Sequence, residues 1–134
     1  SAGAKCTARG LAKLAAAMAC GGGLGGKKVL SEVAHQKLHD GIETRNMAFI
    51  DTAFSQGGVN YFGGDGIGTD FLNDGLHKGR EGFFGWMGLG GSIFQWHPEL
   101  KIGFAYIPTS LNILDVVNSR GKIYQEVVRE CVEG

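Results

Sequence analysis

The sequence predicts an α+β domain in which helices flank an antiparallel sheet. A helical pattern fills the N-terminal part, three short strand-like runs follow one another within residues 83–107, and a second helical pattern closes the chain. The 134 residues are 43% hydrophobic, which is enough for one core, and neither a repeat nor a linker divides them. We therefore expect one structural unit, with residues 1–48 mainly helical and residues 49–134 forming the sheet and the last helix.

The first predicted helix covers residues 8–20. Thr7 is a suitable N-cap for it, and Gly21 is a suitable C-terminal stop. The apolar residues recur at helical spacing, which predicts an inward face made of Leu11, Leu14, Ala15 and Met18.

A second, shorter helix is predicted after a connecting loop at 21–28. Ser31 is its cap, His39 is its last residue, and Gly41 ends the segment. Its expected inward residues are Val33, Ala34 and Leu38.

The sheet is predicted from the loss of helical period after residue 48. Aromatic and β-branched residues flank Gly57 and Gly58 within 49–62, which indicates a bent, extended segment. The polar, glycine-rich residues 63–82 predict an exposed loop. Three C-terminal strands are then expected as an antiparallel meander, over residues 83–87, 92–96 and 102–107.

The closing helix is predicted over residues 112–132, with an interruption near Arg120 and Gly121. One side of this helix is apolar and is formed by Ile113, Val116, Val117, Ile123, Val127 and Cys131.

The overall charge excludes some classes of partner. The chain has 13 basic and 13 acidic residues without a run of either sign, so we expect neither nucleic acid nor an anionic membrane surface as a partner. No window approaches the roughly 18 to 20 apolar residues of a membrane span, which predicts a soluble protein.

The cysteines give no sign of a disulfide framework. Cys6, Cys20 and Cys131 are odd in number and lack CxxC spacing, so we expect free, mostly buried thiols and favour a reducing intracellular compartment. The chain starts at Ser1 without a signal pattern, and we expect that further sequence precedes it.

Several ligand motifs are present only in part. GGGLGGKK at 21–28 has Lys28 where a phosphate-binding loop needs a hydroxyl, and it follows a helix, so we interpret it as a linker. The acidic residues of the 63–82 loop lack the spacing of a calcium loop: Asp65, Asp70 and Asp74. The sequence predicts neither a metal nor a cofactor.

The histidines are given structural or solvated roles. His35 and His39 have the spacing of the HExxH zinc motif but lack its glutamate, and a solvated helix face is the favoured interpretation. His97, in the turn before Pro98, is expected to be structural.

Two short serine motifs also occur. Ser119 and Lys122 form an SxxK pattern, and Ser110 and Asn112 form an SxN pattern. The first lies inside the closing helix and the second follows the last strand, so both are interpreted as coincidental.

The segment that begins at Gly82 (GFFGWMGLGGSIFQWHPELKIGFAYIP) carries a family resemblance, together with residues 1–22 (SAGAKCTARGLAKLAAAMACGG). Its order of glycine-rich strand end, Gly-Gly, strand, Pro-Glu turn and strand resembles the serine β-lactamase and penicillin-binding-protein superfamily. It is most similar to the β-lactamase-related esterases and peptidase-like members. The resemblance covers most of the chain and implies the C-terminal portion of one β-lactamase-like domain.

The resemblance also implies where an active site would lie. The family's SxxK serine and YxN or SxN loop would precede Ser1, so the chain alone is expected to be inactive. The third family motif falls on residues 86–88, where Trp86 replaces a lysine or histidine. That change puts recognition of a substrate carboxylate in doubt.

The pocket residues implied by the resemblance are Trp86, Met87, Gly88, Gly90 and Ser92, and the Leu89 backbone amide would help to form the oxyanion hole. Glycines that only allow close packing are an equally good explanation of residues 90–91.

Two functions therefore remain open. The chain is either one wall of a serine-hydrolase pocket for a small amide or ester, or part of a noncatalytic scaffold or binding module. In either case we expect it to associate with a missing N-terminal half or with another copy, because a partial sheet exposes an edge and an apolar face.

Overall fold

The computed structural model describes residues 4–134; residues 1–3, which begin the N-terminal segment of the family resemblance, lie outside the described residues. The helices are α1 (Ala8–Ala19), α2 (Glu32–His39), α3 (Phe71–His77) and α4 (Ser119–Glu133). The strands are β1 (Gly23–Leu24), β2 (Lys27–Lys28), β3 (Glu43–Met47), β4 (Ile50–Phe54), β5 (Asn60–Tyr61), β6 (Phe84–Met87), β7 (Ile93–His97) and β8 (Ile102–Tyr106). The predicted α+β class is confirmed.

The main sheet is larger than the sequence predicted. Six antiparallel strands follow one another in chain order from β3 to β8, whereas the sequence predicted only the three equivalent to β6, β7 and β8. The two-residue strand β5 joins the halves of the sheet, because it pairs with β4 on one side and with β6 on the other. The predicted loop at 21–28 is a separate two-stranded hairpin of β1 and β2.

Helix α1 packs on one side of the sheet, across β7 and β8, and we call this side the α1 face. Its alanines allow a close approach, because a side chain at Gly103 would meet the backbone of Ala16. Ala15, Ala17 and Met18 are buried there with Phe84 and Trp96. The predicted inward position of Leu14 is wrong, since its side chain is 42% exposed.

The opposite side, which we call the α4 face, packs against α3, α4 and the turns between them. Its apolar cluster consists of Phe62, Phe83, Ile93, Ile102 and Phe104. A buried polar chain joins it to α4, since Arg80 Nε donates to Gln125 Oε1 at 3.1 Å and Gln125 Nε2 donates to Gln95 Oε1 at 2.6 Å.

The segment predicted as an exposed loop at 63–82 contains α3. Asp70 caps this helix through its side chain, which accepts from the amides of Leu72 and Asn73. Gly75 inside the helix obscured the helical pattern in the sequence. A glycine is needed there because a Cβ would lie 2.9 Å from the Val117 side chain.

The predicted start of the last helix at residue 112 is also wrong, because α4 begins at Ser119. Residues 112–118 form successive turns, and Asn118 ends them in the left-handed region with φ 54°. Asp115 Oδ1 accepts from the Ser119 amide at 2.7 Å, which fixes the helix start.

The histidines of α2 do not form a solvated face. Both His35 and His39 are half-buried: His35 Nε2 contacts the Met18 carbonyl at 2.6 Å, and Trp96 Nε1 donates to His39 Nε2 at 2.7 Å. The predicted inward residue Val33 is exposed instead, as is its neighbour Ala34, while Leu38 is half-buried.

The predicted burial of the cysteines is wrong: Cys6, Cys20 and Cys131 are all exposed and free. Within residues 4–134, none of the helices combines the length and apolar character that crossing a membrane requires.

Candidate functional site

A cavity of about 260 Å³ lies at the end of β6, on the α4 face of the sheet. Its rim includes Gly88 and Leu89, the two residues that follow the strand. The remaining lining comes from β3, β4, β5 and the residue after it, β6, α3 and the turns before α4: Met47, Ile50, Asp51, Thr52, Asn60, Tyr61, Phe62, Leu76, His77, Met87, Val116 and Asn118.

The structure brings together three of the six residues that the sequence placed at the site. Met87, Gly88 and Leu89 all line the cavity. Trp86 does not, because its ring stacks on Phe94 with centroids 6.0 Å apart and planes at 10°. Gly90 and Ser92 lie in the turn behind the rim, which comprises residues 88–92 and is called the 88–92 turn below.

The Leu89 amide is a free hydrogen-bond donor at the rim. Its neighbours are paired, since Gly88 N–H donates to the Ser92 carbonyl at 2.7 Å and Gly91 N–H donates to the Gly88 carbonyl at 3.1 Å. Leu89 N–H has no acceptor within residues 4–134, and its side chain is 74% exposed. A ligand carbonyl that reaches this amide would therefore find an unpaired donor.

The three glycines of the 88–92 turn differ in whether the fold requires a glycine at that position. Gly90 and Gly91 have φ values of 100° and 109°, and a Cβ on either would meet a neighbouring side chain at 2.9 Å, so the fold requires both. Gly88 lies outside the left-handed region, and a Cβ there would meet only Ser92, at 3.5 Å. The fold therefore accommodates a methyl group at Gly88.

Two residues at the start of α4 hold the carbonyls of the 88–92 turn. The amide nitrogen of buried Asn118 lies 3.2 Å from the carbonyl oxygens of Gly88 and Gly91 and 3.3 Å from that of Ser92, in the amide orientation that satisfies these groups. Arg120 Nη2 donates to the Gly90 carbonyl at 3.0 Å. The carbonyls are thus tied back toward α4, and the Leu89 amide is left at the rim.

Asp51 supplies a fixed negative charge to the cavity wall. Its oxygens accept from the Asn46 amide nitrogen and the Gly68 backbone amide, both at 2.9 Å. These two hydrogen bonds lower the pKa of the Asp51 carboxyl, with the Asn46 bond as the larger cause. Asp51 is therefore ionised at neutral pH.

His77 does not have a nitrogen available for proton transfer. Its Nδ1 accepts from the Gly63 amide at 3.2 Å, and its Nε2 donates to the Asp51 carbonyl at 2.9 Å. This pairing requires the neutral ring with the proton on Nε2. His77 joins α3 to β4 and is not free to serve as a general base.

The SxxK pattern does not form a catalytic pair. Ser119 Oγ donates to Asp115 Oδ1 at 2.7 Å, whereas Lys122 Nζ donates to the Gly75 carbonyl at 3.3 Å. Neither residue lines the cavity, and the part of the lining that residues 4–134 provide contains no serine, cysteine or lysine. A serine nucleophile for this cavity would have to come from outside residues 4–134.

Across the described range 4–134, no group of three or more histidine, cysteine, aspartate or glutamate side chains is arranged to hold a metal ion. The acidic residues predicted to lie in the 63–82 loop include Asp70, whose carboxylate is occupied as the α3 cap.

Sequence reasoning missed the polar residues of the cavity. Asp51 had a usable signal, because aspartate is depleted in strands and here follows the apolar Ile50. Asn118 had a weaker one, since asparagine tolerates the left-handed conformation better than most residues. Asn60 and His77 reach the cavity only through tertiary packing, and no local pattern marks them.

Comparison of the chain with models of protein families, with curated proteins and with solved structures found no match. The family resemblance therefore stays a prediction.

Proposed function

We propose that the chain forms one wall of the pocket of a β-lactamase-related serine hydrolase that cleaves a small amide or ester. The observation that carries this proposal is the free Leu89 amide at the rim of a cavity. In this proposal the amide donates to the negative charge that develops on the substrate's carbonyl oxygen, as in an oxyanion hole.

The reaction requires a serine from outside residues 1–134. Its oxygen forms a bond to the carbonyl carbon, the bond to the amine or alcohol breaks, and the hydroxyl proton passes to that leaving group through a base beside the serine. The acyl-enzyme is then hydrolysed by water. Within residues 4–134 no serine lines the cavity, and the nitrogens of the one histidine in the lining are both engaged, so the serine and its base are assigned to other sequence.

Two structural features support an oxyanion role for Leu89. The donor belongs to the backbone, and the turn that carries it is held by Asn118 and Arg120, so little reorganisation accompanies charge development. The fold also accepts a side chain at Gly88, which makes close approach of a ligand a reason for the glycine there.

A noncatalytic binding module is the second candidate. It is favoured by the position of Trp86, which stacks on Phe94 outside the cavity lining, so that the cation found at this motif position in the family has no counterpart. Such a module would bind a small carbonyl compound in the same cavity without cleaving it.

Labelling of the folded full-length protein with a fluorophosphonate probe tests the proposal. We expect covalent labelling of a serine outside residues 1–134. Gly88→Ala should reduce the labelling rate about tenfold, because the methyl group crowds the approach to the Leu89 donor, whose loss in such sites costs about 10²-fold or more. Stability should change little, because that methyl group fits the fold.

Gly10→Ala is the matched control, since it makes the same chemical change on α1, away from the cavity. It should label at the rate of the unchanged protein. Equal rates for Gly88→Ala and Gly10→Ala would contradict the oxyanion role, and a folded protein without any labelling would favour the binding module.

A further inference from the structure

The charge of the cavity wall bears on which ligands it can accept. Asp51 is the ionised group of the lining, and no lysine or arginine lines the cavity within residues 4–134. Two arginines lie behind the lining, and both are engaged. Arg120 pairs with the Asp115 carboxylate at 3.3 Å and donates to two backbone carbonyls. The buried Arg80 donates to the carbonyls of Leu76 and Asn118. A ligand carboxylate would therefore face the Asp51 charge without a free cation in the lining to pair with.

The apolar part of the lining indicates the kind of group that fits beside the carbonyl. Side chains from three strands, from the residue after β5 and from α3 converge on the cavity: Met47, Ile50, Phe62, Leu76 and Met87. The volume of about 260 Å³ is slightly below the usual range for ligand sites, which favours a small ligand. An aliphatic chain of a few carbons would cover these side chains.

Two polar groups of the lining are unpaired and are complementary to an amide. Leu89 N–H is a donor without an acceptor, and the buried Asn60 Oδ1 is an acceptor without a donor in residues 4–134. A carboxamide offers one carbonyl acceptor and its own N–H donors, so it can satisfy a site that has one group of each kind.

We propose that the cavity selects small, uncharged aliphatic amides and rejects their carboxylate-bearing counterparts. This inference rests on the proposed function for the identity of the site, but it concerns binding and does not require a nucleophile. The selectivity for amides can therefore be confirmed even if the protein does not hydrolyse them, and it can be contradicted even if the protein does.

Methionine-methyl NMR of the chain with pentanamide and with glutaramate tests the proposal. The two probes have the same length and differ by a terminal methyl group or carboxylate. Two of the three methionines, Met47 and Met87, line the cavity, and Met18 is buried on the α1 face as an internal reference. We expect pentanamide to shift the first two methyl signals and not the third, with a dissociation constant at least about threefold below that of glutaramate, the size of a partly screened charge interaction.

Two lysine variants separate this charge effect from general effects on the fold. Leu89→Lys keeps the backbone amide and places a cation at the rim. It should therefore reduce or reverse the preference for pentanamide over glutaramate. Val33→Lys places the same charge at an exposed residue of α2, outside the cavity lining, and should leave the preference unchanged. Equal or tighter binding of glutaramate to the unchanged protein, or no binding of either probe, would overturn the proposal.

Discussion

Asn118 combines two properties that the 88–92 turn needs. Its backbone adopts φ 54°, which asparagine tolerates better than most residues, and its side-chain nitrogen faces the carbonyls of Gly88, Gly91 and Ser92. The Asn118 side chain is itself buried, so its polar groups need partners within the protein. Asn118 therefore positions the turn that carries the Leu89 amide.

Asn118→Asp should loosen the 88–92 turn. Aspartate keeps the shape and the tolerance of positive φ, but it presents an oxygen where the carbonyls need a donor. We expect a loss of about 2 kcal/mol in the free energy of unfolding, within the range for unsatisfied buried polar groups. Urea denaturation measures the loss, and hydrogen exchange should show faster exchange at Gly91, whose amide closes the turn onto Gly88.

Asn112→Asp is the matched control for that variant. The Asn112 side chain accepts from the Leu114 amide through Oδ1, and aspartate retains this acceptor at an exposed site. Its stability should change by less than about 0.5 kcal/mol. A similar loss in both variants would show that Asn118 has no special role in the turn.

At the scale of elements, α2 is attached to the sheet through histidine and tryptophan. His39 Nδ1 contacts the His35 carbonyl at 2.7 Å, and His39 Nε2 accepts from Trp96 Nε1, so the ring is neutral with its proton on Nδ1. Burial is the main cause that lowers the pKa of His39, and burial also lowers the pKa of His97, whose Nδ1 accepts from the Leu100 amide. Both rings are held in the neutral form by the fold.

These two histidines predict a fall in stability below neutral pH. Their folded pKa values lie below the ordinary value of 6.5, so the unfolded chain binds protons first as the pH falls. The free energy of unfolding should therefore decrease as the pH falls through 6.5 toward the folded pKa values. Urea denaturation at closely spaced pH values measures this decrease.

His39→Gln is the informative variant, because its side-chain oxygen can still accept from Trp96 while it no longer titrates. The free energy of unfolding of this variant should fall less steeply between about pH 7 and 5 than that of the unchanged protein. Carboxylates with lowered pKa, such as Asp51 and Asp115, titrate below 3.8 and lie outside this window. An identical slope in the variant would contradict the burial of His39 as a cause.

The elements with strong local signals were predictable, and those that depend on tertiary contacts were not. Helix α1 and strands β6 to β8 follow helical or alternating patterns, and their bounds agree with the prediction within two residues. Helix α3 has a glycine in its centre, and the strand β5 has only two residues, so neither gives a periodic signal. The start of α4 depends on the Asp115 side chain, which the apolar pattern across 112–132 concealed.

On the scale of the whole molecule, many exposed apolar residues lie along α4 and the turns before it. We call this set the α4 outer surface; it consists of Leu111, Ile113, Leu114, Val116, Ile123, Tyr124, Val127, Val128 and Val132. It adjoins β8, since Tyr124 stacks on Tyr106 with ring centroids 5.7 Å apart, and β8 has a neighbour on one side only. Such a surface is larger than single exposed hydrophobic residues and favours association.

The chain should therefore self-associate when it is studied alone. Sedimentation velocity should show species larger than a monomer that increase with concentration. The double change Ile123→Glu and Val127→Glu should shift the distribution toward monomer, because it places charges on the α4 outer surface. Val33→Glu, at an exposed apolar residue of α2, is the matched control and should leave the distribution unchanged.

A stable monomer across the accessible concentrations would contradict the association. If a separate polypeptide covers the α4 outer surface, its addition should replace the self-associated species with a complex of fixed size in the sedimentation distribution.

The candidate site could be predicted only in part, for a reason that applies to the whole chain. The rim was predictable because glycines and a strand end mark residues 86–90 in the sequence. The wall was not, because Asp51, Asn60 and His77 are distant in sequence and meet the rim only after the six-stranded sheet has formed. Trp86 was placed in the pocket from its motif position, whereas the structure shows it stacked outside the lining.

The backbone amide of Leu89 offers the most direct test of the account. In protein labelled with ¹⁵N-leucine, pentanamide should move the Leu89 amide proton downfield, with the same midpoint as the methyl signal of Met87, because the ligand carbonyl accepts from that donor. The amide of Leu24, on the β1–β2 hairpin, should not move. A Leu89 amide that stays in place while the methyl signals of Met47 and Met87 shift would contradict the account, because the ligand would then occupy the cavity without using this donor.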